Sequence, residues 1–265
     1  MSSKLYSIFS EEQPIIGMVH LPASVGQPQA LGARSVRELI SGVKKDILAL
    51  QNGGVNGVLF CNESDLPYTN RLKSEVAAWA AFFVGAVFDS LKVPHGINLL
   101  WDPIASIETA AATDAKFVRE VMCGTFASDM GLLAPDPAQV LETRTRLRAD
   151  HIALFTNIVP EFASALENRT VAQRAKAASY FGFDAILISG PVAGEEFSID
   201  DLMEAKTTAK DVPVIANTGV RAANIKKTLE VADGVIVGSS LKIDGKTFNP
   251  VDENRVKELM QAARK

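Results

Sequence analysis

The stretch DVPVIANTGVRAANIKKTLEVADGVIVGSSLK, residues 211–242, decides the fold. It reads as a short apolar strand at 213–216, a turn Asn217-Thr218-Gly219-Val220, an amphipathic helix at 222–230, a second apolar strand at 234–237 and a second small-residue turn, Gly238-Ser239-Ser240. Both turns stand at the C-terminal end of a strand. Glycine there lets the backbone approach a ligand, and clustered N–H groups after a strand suit an anion. Two such turns on adjacent strands would cradle one phosphate, and the loops after the last two strands are the usual phosphate site of a (β/α)8 barrel.

Working outward, the same strand-then-helix unit recurs. Apolar runs of strand length stand at 14–20, 55–61, 96–100, 117–122, 152–156 and 185–188, with helical spacing between them. Ser35 with Glu38 forms a capping-box pattern ahead of Val36, Leu39, Ile40, Val43, Ile47 and Leu50. Gly54-Val55-Asn56-Gly57-Val58, Gly182-Phe183-Asp184-Ala185-Ile186 and Ala232-Asp233-Gly234-Val235 each put a polar residue just before a strand that follows a helix end. Continuously apolar strands separated by helices imply a parallel sheet covered on both faces. Eight units in 265 residues fit one α/β domain, 1–265, folded as a single (β/α)8 TIM barrel of about 250 residues. A doubly wound open sheet is the runner-up, and is usually built from fewer units.

Composition narrows the function classes. The net charge of −4 and pI near 5.5 offer no basic field, so no nucleic-acid partner is expected. Cys61 and Cys123, the 2 cysteines, lack CxxC spacing, which fits a reducing compartment and opposes both a disulfide framework and a structural zinc site. Residues 1–12 carry no signal-like apolar segment, and the longest apolar run, 76–88, is too short for a transmembrane segment. The expectation is a cytoplasmic protein that takes a small phosphorylated metabolite. Self-association into a homo-oligomer is left open.

In a barrel, residues just after strands face the active site, whereas residues before strands face the opposite end. His95 and His151 precede strands and read as surface or capping histidines; His20 ends one and reads as a site residue. The candidate list at the reactive end is His20, Asn62, Glu63, Asp65, Asp102, Asp129, Asn157, Ser189, Asn217 and Lys242. Of these His20, Glu63, Asp102 and Asp129 are the acid/base candidates, since carboxylates converging on one mouth suit proton transfer or an oxygen-ligated cation such as Mg2+. Any metal would fall to Asp102 and Asp129. Helix capping is the competing role for Asp65, Asp102 and Asp129. Asn62, Asn157, Asn217, Gly219, Val220, Gly238, Ser239, Ser240 and Lys242 are the substrate-binding candidates, with Lys242 as a charge partner for phosphate. The strands at 152–156, 185–188 and 213–216 hold no lysine for Schiff-base chemistry, and no GxSxG, HExxH or dinucleotide fingerprint is present.

Several motifs resemble the BtpA/SgcQ family. They are Ile16-Gly17-Met18-Val19-His20-Leu21-Pro22, Asn52-Gly53-Gly54-Val55-Asn56-Gly57-Val58, Asn62-Glu63 with Leu66-Pro67-Tyr68, and the NLLWDPIA run at 98–105. Ala127-Ser128-Asp129, the FTNIVPE run at 155–161, Asn217-Thr218-Gly219-Val220, Ala232-Asp233-Gly234, Lys242 and Asp244-Gly245 continue the likeness along essentially the whole chain. Trp101-Asp102-Pro103 and the run ending at Glu161 resemble the SgcQ-like branch more than the photosynthetic branch, which implies a different substrate. The resemblance implies a TIM barrel of the ribulose-phosphate-binding kind. For the SgcQ-like branch it implies a place in sugar-phosphate use, and for the BtpA branch a role in photosystem I biogenesis. Three functions stand as expectations: an isomerase, epimerase or aldol-type lyase, a non-catalytic assembly factor, or a metal-dependent hydrolase using Asp102 and Asp129.

Overall fold

Eight parallel strands close into a ring in the computed structural model, which describes residues 4–30 and 34–264. They are β1 (Ile15–His20), β2 (Gly57–Cys61), β3 (His95–Asn98), β4 (Phe117–Glu120), β5 (Ala153–Val159), β6 (Ala185–Ser189), β7 (Val214–Asn217) and β8 (Gly234–Val237). Each pairs with its neighbours in chain order, and β1 pairs with β8, Ile16 opposite Ile236. The expected TIM barrel is therefore the fold.

Side chains alternate across each strand. Ile16, Met18, Leu59, Phe117, Phe155, Leu187, Ile215 and Ile236 fill the barrel interior. Val19, Val58, Phe60, Ile97, Val118, Leu154, Ile186 and Val235 face outward into a second apolar layer under the helices. Those helices are α1 (Lys4–Ile8), α2 (Val36–Gly53), α3 (Ser74–Val87), α4 (Pro103–Ala112), α5 (Pro137–Arg146), α6 (Val171–Tyr180), α7 (Ile199–Thr208), α8 (Ile225–Leu229) and α9 (Glu253–Arg264). Local chemistry sets their starts. Ser35 with Glu38 and Thr170 with Gln173 form capping boxes, and Asp102 and Asp136 cap helices that open with proline. Each such cap contributes about 1 kcal/mol. None of the helices among the described residues is long and apolar enough to cross a membrane.

The bottom of the barrel is plugged by α1 and the residue after it. Leu5 of α1 and Phe9 belong to the interior cluster, and the Phe9 ring lies 5.3 Å from that of Phe117, which stacks on Phe155 at 5.1 Å. Two strand glycines make room for these rings. A Cβ on Gly57 would lie 2.5 Å from Phe9, and one on Gly96 would lie 2.3 Å from Phe117. At the seam of the ring α9 packs against α2, where a Cβ on Gly53 would lie 2.2 Å from Val256.

Two details depart from the sequence reading. The loops after β4 and β5 build a three-stranded antiparallel sheet at the barrel top, with Phe126–Ser128 between Gly131–Leu133 and Ala163–Ala165. His95 is not at the surface, but it does act at a helix end, meeting the C-cap carbonyl of α4. It starts β3, is 4 % exposed and lies edge-on to Phe60 and Phe88, with Nε2 3.1 Å from the Thr113 carbonyl oxygen. The strand begins one residue earlier than its glycine suggests, and that position faces the helices. His151 is exposed, as expected.

Candidate functional site

Polar residues take over the barrel interior at the C-terminal ends of the strands. Inward alternation brings His20, Asn98, Arg119, Asn157, Ser189 and Asn217 to this level, above Met18 and Ile236. A cavity of about 310 Å³ opens there. Of the sequence candidates it is lined by His20, Glu63, Asn217, Gly219, Val220, Gly238, Ser239 and Ser240. Arg119, Glu161, Thr218, Arg221, Thr247 and Arg255 also line it, and none of them was a candidate.

One wall is a buried charged network. Arg119 donates from Nη1 to Asn98 Oδ1 at 2.5 Å and from Nη2 to Glu161 Oε2 at 2.8 Å. Glu161 accepts on its other oxygen from the Thr218 hydroxyl at 2.5 Å. Asn98 donates to Glu120 Oε1 at 2.5 Å, and burial pushes the Glu120 carboxyl up to about 8 despite the nearby Arg119 charge. Glu63 faces this wall. It accepts from the Tyr68 hydroxyl at 3.0 Å and from the Cys61 thiol at 3.5 Å. Burial, then the Glu161 charge, raises its pKa above the usual carboxylate range. A carboxyl shifted upward in a cleft is a candidate for proton transfer.

His20 stands across the cavity. Its Nδ1 lies 3.0 Å from the Thr247 carbonyl oxygen, so the proton is assigned to Nδ1 and Nε2 is an acceptor. Burial, then the Lys242 charge, lowers its pKa to about 3. The imidazole is thus neutral at neutral pH. A base whose folded pKa lies below its unfolded value of about 6.5 leaves the unfolded state binding more protons between the two values. Stability is therefore expected to fall as pH drops from about 6.5 toward 3, by about 1.4 kcal/mol per pH unit from this residue alone. Urea unfolding of wild type and His20→Gln at several pH values checks it, because the variant must lose that component of the slope.

The opposite end of the cavity gathers backbone N–H groups and cationic side chains. Thr218 and Gly219 adopt positive φ, 70° and 71°, turning successive N–H groups after β7. The backbone N–H groups of Gly219, Val220, Ser239 and Ser240 donate to no acceptor among the described residues. Gly219 is required here for sterics as well. A Cβ on it would lie 2.4 Å from the Glu195 carbonyl oxygen. Arg221 and Arg255 supply positive charge to this end of the cavity.

Other candidates serve the scaffold. Asp65 is buried and accepts from the Ser24 N–H and hydroxyl and from Asn62 Nδ2, while Asn62 Oδ1 accepts from the Leu100 N–H. Asp102 caps α4 with one oxygen, bonded to the Ile104 and Ala105 N–H groups, and accepts from the Leu72 N–H with the other. Asn157 and Asn217 both donate to the Ser189 hydroxyl at 2.7 Å. Lys242 does not reach the phosphate turns. It is 1 % exposed and its Nζ lies 3.3 Å from Asp46 of α2, so its charge is felt at His20 without its side chain lining the cavity. Asp129 lines a neighbouring apolar cavity, so Asp102 and Asp129 are not brought together as a cation site. No group of three or more His, Cys, Asp or Glu able to hold a metal ion occurs among the described residues.

The BtpA family model matches residues 11–265. The chain is 36 % identical over 260 residues to the putative sgc region protein SgcQ of Escherichia coli (strain K12), covering 98 % of this chain and 97 % of that one. It is 29 % identical to the photosystem I biogenesis protein BtpA of Synechocystis sp. (strain ATCC 27184 / PCC 6803 / Kazusa), over 97 % of this chain and 90 % of the relative. Among solved structures a tryptophan synthase from M. tuberculosis superposes with a TM-score of 0.64 at 14 % identity, covering 99 % of both chains, a likeness of fold alone.

Proposed function

This chain belongs to the BtpA family, and from that premise we propose that it is an enzyme acting on a small phosphorylated metabolite, a sugar phosphate or a relative of one, by acid/base chemistry. One observation carries the reading. Glu63, Glu161, Arg119 and His20 share a single cavity with the unpaired N–H groups of the last two strand turns. A phosphate seated on Gly219, Val220, Ser239 and Ser240 would place the carbon skeleton between Glu63 and His20. Glu63 then moves the proton, as isomerisation, epimerisation or aldol-type cleavage requires. Neutral His20 accepts a hydrogen bond from a substrate hydroxyl at Nε2, and the Arg119 charge favours negative charge developing on the substrate. The buried free thiols of Cys61 and Cys123 suit work in a reducing cytoplasm.

The test is a thermal-shift series with inorganic phosphate and phosphorylated sugars, each with and without Mg2+. A ligand at a hundred times its Kd is expected to add about 2.7 kcal/mol. No shift with any phosphate compound sinks the reading.

A second reading, a non-catalytic assembly factor, draws on Leu132 and Leu166, which are 62 % and 59 % exposed at the small antiparallel sheet. The two readings part at Glu63→Gln. An assembly role survives that change, and proton transfer does not.

A further inference from the structure

A second cavity, about 390 Å³, adjoins the first and shares Glu63, Ala193 and Thr247 with it. Its walls are Leu66, Pro67, Tyr68, Met130, Phe162 and Phe248 with the Asp129 carboxylate among them, and no lysine or arginine lines it. The two chambers thus divide the chemistry. Cations and unpaired N–H groups lie in one, apolar walls lie in the other, and Glu63 stands at the boundary. The aromatic wall is held in place. The Tyr68 and Phe162 rings lie 6.2 Å apart, and the Tyr68 hydroxyl is tied to Glu63. Phe162 adopts φ 55°, costly for a bulky residue, and is fixed by bonds from its N–H to the Pro191 carbonyl at 2.8 Å and from the Asp129 N–H to its own carbonyl at 3.0 Å.

A bare sugar phosphate would use only the polar chamber. Resting on the phosphate reading above, we propose that the substrate is a phosphate ester whose far end is an apolar, ring-sized group, seated between Tyr68, Phe162, Met130 and Phe248. The atom that gains or loses a proton then lies at the junction, against Glu63. The apolar group also keeps water from that carboxyl. Burying such a ring is worth about tenfold or more in affinity.

Calorimetry on the full chain tests this with inorganic phosphate, glycerol 3-phosphate and 4-phenylbutyl phosphate. The variants are Phe248→Ser, at a side chain 63 % exposed, and Phe162→Asn, a residue that tolerates positive φ. The aryl ester is expected to bind at least about tenfold tighter than glycerol 3-phosphate. Each variant should reduce that advantage several-fold while leaving inorganic phosphate affinity unchanged. Equal binding of the two esters, with inorganic phosphate still bound, overturns this inference and leaves the phosphate reading standing. If none of the three binds, the phosphate reading falls and takes this one with it. Binding of 4-phenylbutanol as tight as its phosphate also overturns it, as does a wild-type dimer that Phe248→Ser dissociates, which would assign the apolar chamber to a second copy of the chain.

Discussion

Arg119→Met is expected to lower the unfolding free energy by about 3–5 kcal/mol, the cost of removing one partner from a buried ion pair. The guanidinium is 4 % exposed and bonds Asn98 and Glu161, so its loss leaves the Glu161 carboxylate beside Glu63 with only the Thr218 hydroxyl to hold it. Two neighbouring carboxylates without the cation cannot both stay ionised at low cost. Urea unfolding of Arg119→Met, Glu161→Gln and the double variant checks it. The double variant must recover a large part of the loss, because it removes the stranded charge. If the single variant is as stable as wild type, the network is not what holds β4 to the loop after β5.

Gly238→Asp is expected to abolish phosphate-ester binding, a loss of about a hundredfold or more, with little change in melting temperature. A Cβ there would meet Met18 Cγ at 3.4 Å and His20 Nε2 at 3.9 Å, ordinary contacts, so no neighbouring backbone bars it. Its carboxylate enters a cavity that already holds Glu63 and Glu161 and opposes an incoming anion. The same replacement at Gly219 would drive a Cβ into the Glu195 backbone and report on folding instead. Melting curves and calorimetric titration with inorganic phosphate decide the matter. Wild-type affinity in a folded Gly238→Asp protein would make the last two turns structural only.

The barrel was legible because buried parallel strands are apolar on both faces, so runs such as Val235-Ile236-Val237 stand out from the amphipathic helices. The two turns that line the cavity were legible for a related reason. Small residues immediately after a strand have few uses besides a tight turn or a ligand, and Gly219, Val220, Gly238, Ser239 and Ser240 all line the cavity. Arg119 escaped because it lies within a strand rather than after one. Counting by twos from inward-facing Phe117 would have turned it into the barrel. Glu161 lies several residues beyond the strand read at 152–156, too far for a rule that looks only just after a strand. Asp65 and Asp102 show the opposite failure, since a carboxylate after a strand serves unpaired backbone N–H groups as readily as a substrate. Lys242 read as a phosphate partner because it follows the small-residue turn, and sequence spacing does not reveal its pairing with Asp46, about 200 residues earlier.

The pairing of β1 with β8, and of α2 with α9, also bears on how the protein is made. A ribosome delivers the partner strand about 220 residues after the first. Until then the nascent sheet is an open fan, with one flank of β1 carrying unsatisfied N–H and C=O groups that can template pairing with another chain. The interior stays exposed for as long as the fan stays open. Chains stalled or cleaved before Val237 would therefore be expected to aggregate rather than persist as smaller folded units, and holdase chaperones should bind them in preference to the finished protein.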